Sequence, residues 1–142
     1  VFRQTMFAEF EKLMHEMDAE GKPLTADALS ENYYELNKKY YGPSVEADKR
    51  IANEWSRIPH FYYNFYVYKY ATGFCAAQVF SQRIRESAEK RDQYLDFLAA
   101  GGSADSLDLV KKGGVDLLDP QVMKDAFATF EKSVSQLRKL LT

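Results

Sequence analysis

The sequence predicts an all-α helical bundle. Three observations carry this: apolar residues recur every three or four positions along most of the chain, no stretch shows the strict apolar–polar alternation of a half-buried strand, and glycine, proline and capping residues punctuate it at helical intervals. Its 142 residues suit one domain with a proper core, with no internal repeat and no low-complexity linker.

Phe2, Met6, Phe10, Leu13 and Met17, with Phe7 and Met14 beside them, hold helical spacing until Gly21 stops it, so a first helix is expected over about residues 2 to 20. Its periodicity is already running at Phe2 with no capping residue ahead, the mark of a chain cut from something longer. Gly21-Lys22-Pro23 is a turn. Thr25 and Asp27 then open a second helix to about Tyr41, with Leu29, Tyr33, Leu36 and Tyr40 as its inner stripe and Gly42-Pro43 as its end. Ser44 to Ser56 carries Val45, Ile51, Ala52 and Trp55 among charges, a short helix or irregular helical turn. Pro59 disfavours helix at Ile58 and permits a fresh one directly afterwards. His60 is therefore expected near a helix N-terminus, where first-turn N–H groups favour anions.

His60 to Phe80 is the central stretch, expected as one buried helix. On a 100° wheel Tyr63, Tyr66, Tyr70, Gly73, Ala77 and Phe80 share one face, and Phe61, Phe65, Tyr68 and Thr72 the adjacent one. A helix apolar on two faces has to be covered, and Gly73, Ala76 and Ala77 let a neighbour come close. One reading is a core helix whose hydroxyls find local partners. The other makes several hydroxyls and His60 donors lining a cleft, because a buried tyrosine costs more than phenylalanine unless its O–H is paired. Ser81 to Ala88 is expected to continue this helix as an exposed end. Tyr94, Leu95, Phe97 and Leu98 mark a fourth helix closing at Gly101-Gly102, and Ser106, Leu107, Leu109 and Val110 a short fifth before Gly113-Gly114. Asp119-Pro120 is an N-cap with proline at the first helical position; Val122, Ala126, Phe130, Val134, Leu137 and Leu141 carry an amphipathic helix to the end.

A formal net charge of −2 offers no basic stripe, which argues against nucleic acid as a partner. Asn64, Lys69 and Gln78 interrupt the aromatic run, which is too polar to cross a membrane, and no signal or targeting segment is visible. The single cysteine, Cys75, can form no internal disulfide and suits a reducing, cytoplasmic setting as a small buried hydrophobe. His15-Glu16 begins a zinc motif of the H-E-x-x-H type, but Ala19 stands where the second histidine is needed. With only His15 and His60 in the chain, and three protein ligands usual at a catalytic zinc, no metal ligand is assigned here and His15 is expected at the surface.

Three pieces then coincide: Phe2 to Glu11 (FRQTMFAEFE), Ile58 to Tyr62 (IPHFY) and Phe65 to Gly73 (FYVYKYATG). Together with the Gly-Gly loops and the Asp-Pro helix start, they resemble the C-terminal part of oligoendopeptidase F, in the thimet oligopeptidase-like family of zinc metallopeptidases. The resemblance implies that residues 1–142 are the C-terminal portion of a larger α-helical catalytic domain that hydrolyses internal bonds of short peptides. It further implies that zinc is held by an H-E-x-x-H motif and a glutamate upstream of Val1, so that this segment alone is inactive. The opposite wall of the site carries over: His60, Tyr66 and Tyr68 as the candidate catalytic donors, Tyr63 and Tyr70 as substrate-binding residues. A non-catalytic helical module that binds a peptide or partner helix through its aromatic face is the alternative.

Overall fold

The computed structural model describes residues 1–141. Among them are six α-helices and two 3₁₀ segments: α1 (Phe2–Ala19), α2 (Ala26–Tyr41), the 3₁₀ segments Lys49–Arg57 and Pro59–Tyr62, α3 (Tyr68–Glu86), α4 (Ala88–Ala100), α5 (Ser106–Lys112) and α6 (Pro120–Leu141). The all-α expectation holds, and no described helix is long and apolar enough to cross a membrane. The chain divides into two compact units, Val1–Ala71 and the residues from Thr72 onward.

The first unit is built on α1 and α2. Met6, Phe7 and Phe10 of α1 and Leu29, Tyr33 and Leu36 of α2 are buried with Val67, and Trp55, Ile58 and Phe61 pack against them. The rings meet edge to face, Phe10 on Tyr33 at 5.0 Å and Phe7 on Phe61 at 5.4 Å between centroids, a geometry worth about 0.5–1.5 kcal/mol beyond area burial. Thr25 caps α2, its Oγ1 accepting from the Ala28 N–H at 3.2 Å. Glu9 on α1 accepts from Lys39 Nζ at 2.5 Å and from the Tyr40 hydroxyl at 2.6 Å, tying the two helices together.

A buried carboxylate fixes the nine-residue 3₁₀ segment to this pair. Glu54 accepts from the Tyr33 hydroxyl at 2.7 Å, from Arg3 Nη2 at 2.7 Å and from Arg57 Nη2 at 2.6 Å. Burial works against its charge, but the hydrogen bonds from Arg3 and Tyr33 outweigh it and hold the carboxyl below its ordinary value. A 3₁₀ run of this length is uncommon and needs such tertiary support; it delivers the chain directly to Ile58 and Pro59.

In the second unit Ala76, Val79, Phe80, Val115 and Val122 form the core, with Tyr94 and Phe97 packed on it. Phe80 and Phe97 stack at 5.4 Å and 14°. Gly113 is required here, because a Cβ would stand 2.9 Å from Phe97 Cβ. Asp119 starts α6 as expected, its Oδ1 accepting from the Gln121 N–H at 2.8 Å.

Two boundaries differ from expectation. The polar stretch after Phe80 continues α3 as expected, but only to Glu86: Ser87, in extended conformation, caps α4 by accepting from the Lys90 N–H, so α4 takes Ala88 and starts well before Tyr94. His60 to Phe80 is also not one helix. Pro59–Tyr62 is a single 3₁₀ turn, Asn64 and Phe65 adopt φ of 44° and 56°, and α3 begins only at Tyr68. His60 thus lies outside any long helix, and the helix dipole expected beneath it belongs to Tyr68 and its successors. Cys75 is buried, and burial pushes its thiol up, as suits a packing residue.

Candidate functional site

Pro59 opens the short 3₁₀ turn at the one position where a missing N–H costs nothing. The turn sends Phe61 into the core, against Phe7 and Phe10, and leaves His60 half-buried with Tyr62 and Tyr63 outward. The left-handed pair Asn64-Phe65 then reverses the chain, and Val67 returns fully to the core. The aromatic side chains between these two anchors have no core position to fill. Tyr63 is 61% exposed, Tyr66 37%, Tyr68 49% and Tyr70 42%, which overturns the expectation of a covered helix and retains that of an aromatic surface.

Four of the expected site residues come together despite the broken helix. Tyr66 stacks nearly parallel on the His60 ring, 5.6 Å between centroids and 12° between planes, and Tyr70 meets His60 edge-on at 5.6 Å. Tyr63 packs on Tyr66 at 5.9 Å and faces His60 at 6.4 Å. The Tyr70 hydroxyl lies 3.2 Å from His60 Nε2. None of these contacts includes Tyr68, the first residue of α3. Lys69 Nζ stands 4.9 Å from the Tyr66 ring centre and places a cation beside the cluster.

Hydrogen bonding with Tyr66 raises the Tyr70 phenol above its ordinary value, so it stays protonated through neutral pH. The arrangement is therefore a set of O–H and imidazole groups presented at a surface, able to donate to an oxygen on which charge develops. It does not fit a metal. Phenols that keep their protons are poor zinc ligands, and among the described residues no three His, Cys, Asp or Glu side chains stand close enough to hold an ion. His15 is exposed on α1, as expected, with its ring stacked on Phe65 at 4.2 Å.

Sequence reasoning missed Glu11. This α1 carboxylate is 1% exposed, and its Oε1 accepts from the Phe65 N–H at 2.6 Å. The signal was faint: an acidic residue directly after Phe10 lies beside the apolar stripe rather than opposite it.

Comparison with known proteins agrees in extent. The model of peptidase family M3 matches residues 1–129. Oligopeptidase PepF of Bacillus subtilis is 52% identical over 99% of this chain, and chromosomal oligoendopeptidase F of Lactococcus lactis 49% identical over 99%. The crystal structure of oligoendopeptidase-F from Enterococcus faecium superposes with a TM-score of 0.95 at 48% identity, covering 99% of this chain. The chain spans only 21% and 24% of the two relatives' lengths and 27% of the crystallised chain. With a family model covering nine-tenths of its length and relatives about half identical throughout, the chain belongs to peptidase family M3.

Proposed function

We propose that this chain is the C-terminal portion of the catalytic domain of a zinc-dependent oligoendopeptidase and supplies the wall that binds short peptides and stabilises the oxyanion. The rest of the domain, upstream of Val1, is the partner that holds the zinc, which supplies the activated water. Cytoplasmic residence goes with this reading and with the lone buried thiol.

The observation that carries the proposal is the convergence of His60, Tyr66 and Tyr70 on one exposed surface although the chain between them is not one continuous helix. When a peptide carbonyl is attacked, charge develops on its oxygen, and donors already aimed there stabilise the transition state more than the ground state. His60 and Tyr66 are the donors in this account, with Tyr68 the second candidate. Tyr70 and Tyr63 bind substrate, and Tyr70 also holds His60 through its hydroxyl.

A phosphinic peptide, whose tetrahedral oxyanion resembles the intermediate, tests this in the intact enzyme. Tyr66→Phe should weaken its binding by about tenfold or more while changing substrate KM little. Equal weakening of both would make Tyr66 a binding residue only.

A further inference from the structure

We propose that Glu11 is a positioning residue: from inside the core it holds the Asn64-Phe65 turn in the shape that stacks Tyr66 on His60. The inference rests on the oxyanion reading above.

Glu11 is in an unusual place for a carboxylate. It is 1% exposed on α1, next to Phe10 and among the buried residues Met6, Phe7 and Phe10 of that helix. Burying a carboxylate is unfavourable unless its oxygens are hydrogen-bonded, so its acceptor role is the reason to have it. The bond it makes is to backbone, to the Phe65 N–H at 2.6 Å across 54 positions of sequence.

That N–H belongs to a backbone in an uncommon conformation. Asn64 at φ 44° and Phe65 at φ 56° are both in the left-handed region, tolerable for asparagine and disfavoured for phenylalanine. Two contacts from α1 oppose its relaxation: the Glu11 carboxylate and the His15 ring, stacked on Phe65 at 4.2 Å. Residues 11 and 15 are one helical turn apart and share a face, so α1 grips Phe65 by its backbone and its side chain together.

The turn also sits where it matters. Phe61 and Val67 are held in the core on either side, and only residues 62 to 66 bridge them. Tyr66 follows Phe65 directly, so a change of φ at Phe65 swings the Tyr66 ring off His60, from which it is now 5.6 Å away and almost parallel. Glu11 itself is enclosed and reaches no surface on which substrate could lie, so it acts through Tyr66.

The experiment uses the intact zinc-loaded enzyme with the substitutions Glu11→Leu, Glu11→Gln and Tyr66→Phe, alone and combined. Glu11→Leu should lower kcat by about tenfold to a hundredfold with zinc content unchanged, the size expected when a donor is misplaced by about an ångström. Glu11→Gln keeps an acceptor oxygen and should recover most of that loss. In the Tyr66→Phe background Glu11→Leu should cost little more, because the group it positions is already gone. A Glu11→Leu kcat within about threefold of the parent, or an equal fold-loss in both backgrounds, overturns the inference. If Tyr66→Phe alone leaves kcat intact, the assignment of Tyr66 as an oxyanion donor has failed instead, and the role of Glu11 falls with it. Should Glu11→Leu give no folded enzyme, Glu11→Asp, which withdraws the carboxylate by one methylene, takes its place and has to show the same dependence on Tyr66.

Discussion

Replacing Glu54 by leucine should loosen the segment that delivers His60, and the amount can be worked from its three partners. Tyr33 is fully buried and donates to Glu54 at 2.7 Å, so Glu54→Leu leaves a hydroxyl with no acceptor, at about 1–3 kcal/mol. Arg3 and Arg57 also lose a carboxylate, but their side chains are 43% and 73% exposed and can turn to water, so each adds at most about 1 kcal/mol. The expected total is about 2–4 kcal/mol. Hydrogen exchange in the intact enzyme reads this locally: amides of Lys49–Arg57 that open sub-globally should exchange roughly thirtyfold to several hundredfold faster. Tyr33→Phe in addition should restore most of the protection, since removing both partners is nearly neutral where removing one is not. The pH dependence has a definite sign. Because the Glu54 carboxyl lies below its ordinary value, its contribution is complete above that value, about 4.3, and is lost as pH falls through the depressed one. Exchange rates that change less than about threefold, or a double variant that simply sums the single effects, would refute this reasoning.

Gly113→Ala should destabilise by about 1–3 kcal/mol through overpacking, because its Cβ would press on Phe97 Cβ at 2.9 Å and on Phe80 Cε1 at 3.2 Å. Gly102→Ala, with nothing within 4 Å, is the control, and thermal unfolding that did not separate the two would count against the packing described. The 142-residue chain alone should bind no stoichiometric zinc and cleave no quenched peptide, since His60 is surrounded by phenols and His15 stacks on Phe65. Zinc retained through equilibrium dialysis together with turnover would contradict this.

The helices were legible because their signals are local. The Leu29–Tyr33–Leu36 stripe, the Thr25 cap and the Asp119-Pro120 start each depend on residues within a turn or two, and each is found as expected. The break at Asn64-Phe65 was not legible for the opposite reason. A helical wheel presumes an unbroken helix, and here the left-handed turn is held by Glu11 from 54 positions away. Asn64, a residue that tolerates positive φ, was the one local hint. Ser87 was another overlooked signal, a good N-cap inside a stretch expected to be continuous helix. Glu54 could not be told from a surface acid, because its neighbours in sequence are polar and Tyr33 lies 21 positions away. The grouping of His60 with Tyr63, Tyr66 and Tyr70 is found without the continuous helix, since Phe61 and Val67 fix the ends of the turn and α3 brings Tyr70 back to it.

The proposed oxyanion wall is tested most directly by single-turnover kinetics of the intact enzyme with His60→Ala and with Tyr→Phe at positions 63, 66, 68 and 70 in turn. A donor to the developing charge should lose roughly a hundredfold to a thousandfold in the chemical step, zinc content unchanged. A tyrosine that only packs should lose about 1 kcal/mol of stability and almost no turnover. The account predicts the large loss at His60 and Tyr66, and a mainly KM effect at Tyr63 and Tyr70. If every one of the five variants keeps turnover within a few-fold of the parent, the cluster is a packing feature and the proposed wall does not exist.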